Sequence, residues 1–260
     1  MSSKNPLALV EMPADGVASI RLNRPEARNA FNTQLRQDLA IAFDRVERDD
    51  SVRCVILLGS GGNFAAGADL KEVASLRPLD VWKLEVSRYW KVVAQFPKPI
   101  VAAVAGNALG GGFELALHAD VIVAGRSARF GLTEVAVGVM PGGGGTQRLI
   151  RAIGKYQAMK LMLTGEVIGS EEAFRLGLVS EVIDDEVLEE HALKLAALIA
   201  SRPALATRLI KEVALAGADG PLASGLLLER RSFELLFDTR DQKEGMQAFM
   251  ERRKAEFNRS

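Results

Sequence analysis

The chain has 260 residues, 48% hydrophobic and 25% charged, which suits one large globular domain or one domain with a helical extension. Lysine plus arginine and aspartate plus glutamate both number 33, so zero formal net charge gives no pull toward nucleic acid or an anionic membrane. The single cysteine, Cys54, excludes an internal disulfide, and the isolated histidines His118 and His191 argue against a metal site and a Ser-His-Asp triad.

In chain order, the alternating segment 18–22 predicts a strand that ends at Asn23-Arg24-Pro25. Apolar residues at Leu35, Leu39, Ala42, Phe43 and Val46 predict an amphipathic helix over 33–47, with Asn32 or Thr33 as its N-cap. Residues 52–58 read as a buried strand containing Cys54. A helix is expected over 79–96, stopped by Pro97-Lys98-Pro99. Residues 100–105 give a second buried strand, followed by a glycine turn and a short helix over 111–119, with His118 a helix-end or packing residue. A third strand is expected at 121–124 and an extended piece at 128–131. From about Gln147 the patterns turn helical: 155–163, 170–176, 186–201, 203–216, 221–237 and 241–256. Pro203 and Pro221 suit first turns of helices. Strands separated by helices argue an α/β core with crossover connections. No leader pattern and no run of about eighteen apolar residues is present, so a cytoplasmic protein is expected, with a removed organellar presequence as the alternative.

Two glycine turns and two isolated acids carry the chemistry. Gly110-Gly111-Gly112 closes a strand and opens a helix, and Glu114 follows among apolar residues. As a structural feature, Gly111 would be an N-cap with Glu114 reaching back as a capping-box carboxylate. As a functional one, bare N–H groups at the helix start would face a developing negative charge. The loop Gly59 to Leu70 has the Gly62–Gly67 spacing of a phosphate loop, but Ala68-Asp69 stands where Lys-Ser/Thr is needed. Nor does it carry a dinucleotide fingerprint. It remains a second strand-to-helix turn that exposes amides. Glu134 sits in Phe130-Gly131-Leu132-Thr133-Glu134-Val135, ahead of a further possible anion nest at Pro141–Thr146. Glu114 and Glu134 are either arginine-paired carboxylates or two partly desolvated carboxyls with separated pKa values, one base and one acid.

Three segments together resemble the enoyl-CoA hydratase/isomerase (crotonase) family: Phe64-Ala65-Ala66-Gly67-Ala68-Asp69-Leu70; Pro99 to Gly106 running into Gly110-Gly111-Gly112-x-Glu114-Leu115; and Phe130-Gly131-x-x-Glu134 running into Pro141-Gly142-x-Gly144-Gly145-Thr146. The resemblance extends from Leu22-Asn23-Arg24-Pro25 to Glu251-Arg252-Arg253-Lys254. It implies an α/β crotonase (ClpP-like) fold of repeated ββα units over 1–200. Residues 201–260 would form a helical trimerisation region, not an independent domain, in a homotrimer or dimer of trimers. It also implies a CoA thioester whose carbonyl oxygen lies between the N–H groups of Ala68 and Gly111, with no metal and no cofactor besides the substrate's own CoA. Glu114 would deprotonate water for attack at Cβ and Glu134 would protonate Cα, giving syn hydration of a trans-2-enoyl-CoA.

CoA contacts would fall at Glu26, Ala27, Arg28, Ala66, Asp69, Leu70 and Gly110. Glu26 replaces a basic residue frequent in the family, for which Arg28 would compensate, and Asp69 has a second reading as a helix cap. Gly142 would border the acyl pocket. Phe249 and Arg252 would cover the nucleotide from a neighbouring subunit, with Arg252 replacing a lysine. Phe113, where a smaller residue is common, would alter the packing behind Glu114. The rivals are a Δ3-Δ2-enoyl-CoA isomerase, which needs one acid/base, and an RNA-binding relative, for which the mixed charges Arg36, Asp38, Asp44, Arg45 and Glu47 offer no phosphate track. Fatty-acid β-oxidation and phenylacetate catabolism both fit, the latter through 2,3-dehydroadipyl-CoA. Arg24 and Arg88 are candidates to read a distal carboxylate.

Overall fold

A computed structural model describes residues 5–257. An antiparallel pair, β1 (Ala8–Ala14) and β2 (Val17–Leu22), leads to α1 (Thr33–Glu47), which Asn32 caps by accepting the Leu35 N–H. β3 (Cys54–Gly59) follows, then the short α2 (Leu70–Val73), α3 (Pro78–Lys83) and α4 (Val86–Ala94). The sequence predicts one helix over 79–96. The structure breaks it at Glu85, whose φ is +46°. In a continuous helix Val81 and Val86 would point about 140° apart. The break lets both line the same cavity.

β4 (Ile100–Val104), β5 (Asn107–Leu109) and α5 (Gly111–Ala116) form one ββα unit, and β6 (Val121–Gly125), β7 (Arg129–Gly131) and α6 (Gly145–Ile153) form the next. Then come α7 (Lys155–Thr164), β8 (Ile168–Gly169), α8 (Ser170–Arg175), β9 (Glu181–Ile183) and α9 (Leu188–Ala200). The C-terminal region is helical: α10 (Ala204–Asp219), α11 (Leu222–Leu236) and α12 (Arg240–Met250). The sequence reading omitted β1, β5, β8 and β9. β1 lies at a sheet edge with Pro13 inside it, where a missing N–H is tolerated, and its register shifts between Glu11 and Ala14.

The large sheet has the order β1-β2-β3-β4-β6-β9 and is parallel beyond β2. Its strands read as continuous apolar runs because both faces are covered. Ile20, Val55, Leu57, Ala102 and Ala124 pack on the side of α1, while Cys54, Ile56, Val101 and Val123 pack against Ala192, Ala196 and Ala200 of α9. Alanines four apart let α9 lie close to the sheet. The second strand of each unit falls in a small sheet, β5-β7-β8. Ala65, after β3, bridges Ala108 of β5, so the loop 60–69 extends the same arrangement by one step. The three functional turns therefore leave one layer side by side.

Candidate active site

Gly110 must be glycine for two reasons. Its φ is +49°, and a Cβ there would lie 3.2 Å from Glu134 Oε1. A Cβ on Gly112 would overlap the Ala65 carbonyl oxygen, so this glycine lets α5 sit directly on the loop after β3. That loop reaches the same point: a Cβ on Gly67 would lie 3.6 Å from the Gly111 nitrogen. Asp69 N–H and Phe31 N–H bond across the Phe31–Ala68 bridge, leaving the Ala68 amide outside the pairing. Among the described residues, neither the Ala68 nor the Gly111 N–H has an acceptor within the protein. Both residues line one cavity of about 380 Å³ with Glu114 and Glu134.

Glu114 is 3% exposed. It does not reach back as a capping-box residue. Gly110 is the N-cap of α5, and the Glu114 Oε1 instead accepts the N–H groups of Gly143 at 2.7 Å and Gly145 at 2.8 Å. The Pro141–Thr146 nest at the start of α6 thus holds the protein's own carboxylate. Burial raises the Glu114 pKa, an effect that the N–H groups of Gly145, Gly143 and Gly142 only partly offset. Glu134 starts a 3₁₀ turn over Glu134–Val137. Its Oε2 is buried without a hydrogen-bond partner, and burial raises its pKa to about 7, with the Glu114 charge adding to the rise. Neither acid is in an ion pair with a lysine or arginine among the described residues, so the arginine-paired alternative does not hold. The two carboxyls differ through their surroundings: Glu114 takes the amides of the glycine loop, whereas Glu134 has only its own backbone N–H and keeps one oxygen unpartnered.

The rest of the cavity is apolar, walled by Phe31, Leu70, Val73, Val81, Val86, Trp90, Val139 and Met140. Ala66, Leu70, Gly110 and Gly142 line it as well. Arg36 also borders it, but its guanidinium already donates to the Phe31 carbonyl and pairs with Glu72. Asp69 caps α2 through the Lys71 N–H and pairs with Arg24 at 2.7 Å, which fits the helix-cap reading. Glu26 and Arg28 are exposed; Ala27 lies between them on the turn 25–28, which meets the 60–69 loop where Ala66 N–H donates to the Arg28 carbonyl. Glu26, Ala27, Arg28, Phe249 and Arg252 do not line the cavity within one chain; Phe249, on α12, is 86% exposed. Arg24 and Arg88 do not line it either, and Arg88 pairs with Glu85.

Sequence reasoning missed Trp90 and the role of His118. The His118 ring is buried, stacks on Trp90 with 5.6 Å between centroids, and has Nε2 2.9 Å from the Gly143 carbonyl oxygen. His118 lies in the turn just past the end of α5, where its N–H bonds the Leu115 carbonyl.

The site defines a class: a largely apolar cavity with two free amides and two carboxyls, groups of the kind that serve acid–base chemistry beside a developing negative charge. The model for enoyl-CoA hydratase/isomerase matches residues 13–260, and the chain belongs to this family. A probable enoyl-CoA hydratase of Rhizobium meliloti is 47% identical over 93% of this chain and 94% of its own length. The 2,3-dehydroadipyl-CoA hydratase of Escherichia coli is 42% identical over the same shares. A crystal structure of an enoyl-CoA hydratase subunit from Geobacillus kaustophilus superposes with a TM-score of 0.95 at 42% identity, covering 99% of this chain and 100% of its own. The fold is of the crotonase type.

Proposed function

We propose that the protein is an enoyl-CoA hydratase, adding water syn across a trans-2-enoyl-CoA to give a 3-hydroxyacyl-CoA. The observation that carries this reading is the pairing, in one cavity, of an amide-bound carboxylate with a carboxyl raised to about pKa 7. The thioester oxygen takes the two free amides, Ala68 and Gly111, which stabilise the enolate-like charge as it forms. Glu114, its Oε1 held by the Gly143 and Gly145 N–H groups, orients and deprotonates water for attack at Cβ. Glu134, still protonated near neutrality, delivers a proton to Cα. Both groups line the same cavity, as addition to one face of the double bond requires. A single acid/base would serve the isomerase reaction; the presence of both favours hydration.

The adenine and phosphates lie toward the turn 25–28, with Ala66 and Leu70 along the pantetheine, and Phe249 and Arg252 close the nucleotide end from a neighbouring subunit. Exposed Leu222, Leu226, Leu235, Phe249 and Met250 on the last two helices support a trimer or a dimer of trimers. The protein works in the cytoplasm without a metal or separate cofactor.

The test is crotonyl-CoA hydration, followed as loss of enone absorbance, with wild type, Glu114→Gln and Glu134→Gln. Each substitution should lower kcat by about 10²–10⁴. Undiminished turnover in either variant would sink the two-acid mechanism. A panel of longer enoyl-CoAs and 2,3-dehydroadipyl-CoA then orders acyl preference, and an inert wild type across that panel would overturn the hydratase reading.

A further inference from the structure

Three consecutive peptide groups of the glycine loop are each held by a side chain from one short segment. Glu114 Oε1 accepts the N–H of Gly143 and the N–H of Gly145. The peptide between them presents its carbonyl oxygen, that of Gly143, to His118 Nε2 at 2.9 Å. A glycine run resists peptide rotation poorly, so two bonds to a single carboxylate oxygen leave the middle peptide to be fixed by something else. We infer that His118 is a positioning residue for hydration: its Nε2–H holds the Gly143 carbonyl so that the flanking amides converge on Glu114. This rests on the hydratase reading above.

The geometry also selects the form of the ring. His118 Nδ1 is buried with no partner. A neutral ring protonated on Nε2 leaves only a lone pair there. The other tautomer, or the cation, would bury an unsatisfied N–H, and the other tautomer would also set a lone pair against the Gly143 oxygen. Trp90 fixes the ring plane from α4; a Cβ on Gly143 would lie 2.5 Å from its indole, so Trp90 covers ring and loop together. The charged groups that act on His118 are Arg148 of α6 and Lys211 of α10, both cationic, and they oppose its protonation along with burial. On Glu114 itself the influences are burial and the N–H groups of Gly145, Gly143 and Gly142, while the Glu114 charge in turn acts on Glu134.

The test uses the full-length enzyme in three forms: wild type, His118→Leu, which removes the donor, and His118→Gln, whose amide can still donate to Gly143. His118→Leu should lower kcat about tenfold, the scale of one lost buried hydrogen bond, with KM changed less than about twofold. The acid limb of its kcat–pH profile should move up, because loosened amides no longer favour ionised Glu114. His118→Gln should recover most of both effects. A folded His118→Leu enzyme with kcat and acid limb unchanged would overturn the proposal, whatever its melting temperature.

The wild type supplies a check independent of activity and of variant folding. With two histidines in the chain, selective ¹⁵N labelling gives two rings to assign. His118 should be neutral and protonated on Nε2 at pH 7, and an Nδ1–H ring or a cation would refute the assignment. If the wild type proved inert on every enoyl-CoA, the hydratase reading would fall instead, and the ring spectrum alone would decide whether His118 holds the loop.

Discussion

Burial and an unpartnered Oε2 hold the Glu134 carboxyl near pKa 7, whereas Glu114 keeps amide donors on one oxygen. Two pH effects follow. Hydration that draws its proton from Glu134 should lose kcat/KM as pH rises through about 7, with the decline read directly from the rate profile. The folded carboxyl binds its proton more tightly than the unfolded one, whose ordinary value is 4.5. Its contribution to stability is therefore complete below pH 4.5 and lost as pH climbs through about 7. Urea midpoints of wild type should fall across that window relative to Glu134→Gln; parallel curves would count against a raised pKa. At this scale both acids and both donor turns were legible in the sequence, since isolated glutamates among apolar residues stand out. The partners of Glu114 were not. Gly143 and Gly145 act through backbone N–H groups 29 and 31 positions away, and a backbone donor leaves no mark on residue identity. The Phe113 ring is buried 5.5 Å from that of Phe130.

Among the elements, α5 depends most on its entry. Gly110→Ala would place a methyl group 3.2 Å from Glu134 Oε1 at a φ of +49°. A backbone conformation of this kind costs about 1–3 kcal/mol for a residue with a side chain. We expect a folded but destabilised enzyme with kcat down at least about tenfold, since donor loop and acid are displaced together. Gly112→Ala should be worse for folding than for chemistry, because the methyl group would meet the Ala65 carbonyl; soluble expression and a thermal melt separate the two cases. Long helices such as α1 were readable from their apolar period. The division of 79–96 into α3 and α4 was not, because Glu85 is an ordinary helix former, and its left-handed φ comes from tertiary demand on Val81 and Val86. Two- and three-residue strands such as β8 and β9 escape periodicity for a simpler reason: they are shorter than any pattern that could reveal them.

For the whole molecule, the helical C-terminal region is tied to the sheet by one polar post. Lys211 of α10 pairs with Asp120 at 2.8 Å and donates to the Lys98 carbonyl, while Asp120 also accepts the Ile100 N–H at the start of β4. Lys211→Met should cost about 1 kcal/mol in a denaturant titration, since Asp120 keeps the Ile100 N–H and some contact with solvent. A loss below about 0.3 kcal/mol would show that apolar packing alone docks the region. The α/β order was plain from alternating strands and helices, but nothing in the periodicity placed the second strand of each unit in a separate small sheet.

That separation has a consequence for how such a protein can change. The loop after Ala65 supplies the Ala68 amide, the turn after β5 supplies the Gly111 amide and Glu114, and the turn after β7 supplies Glu134. The large sheet, buried on both faces, contributes none of these groups. Reactivity and foldability are thus written in different stretches of chain. A mutational library confined to the three turns, with Gly67, Gly110 and Gly112 held fixed, should retain a high fraction of soluble members while scattering their reaction outcomes. An equally dense library in β3, β4 and β6 should do the reverse, so such a scaffold is open to new chemistry with little risk to its architecture.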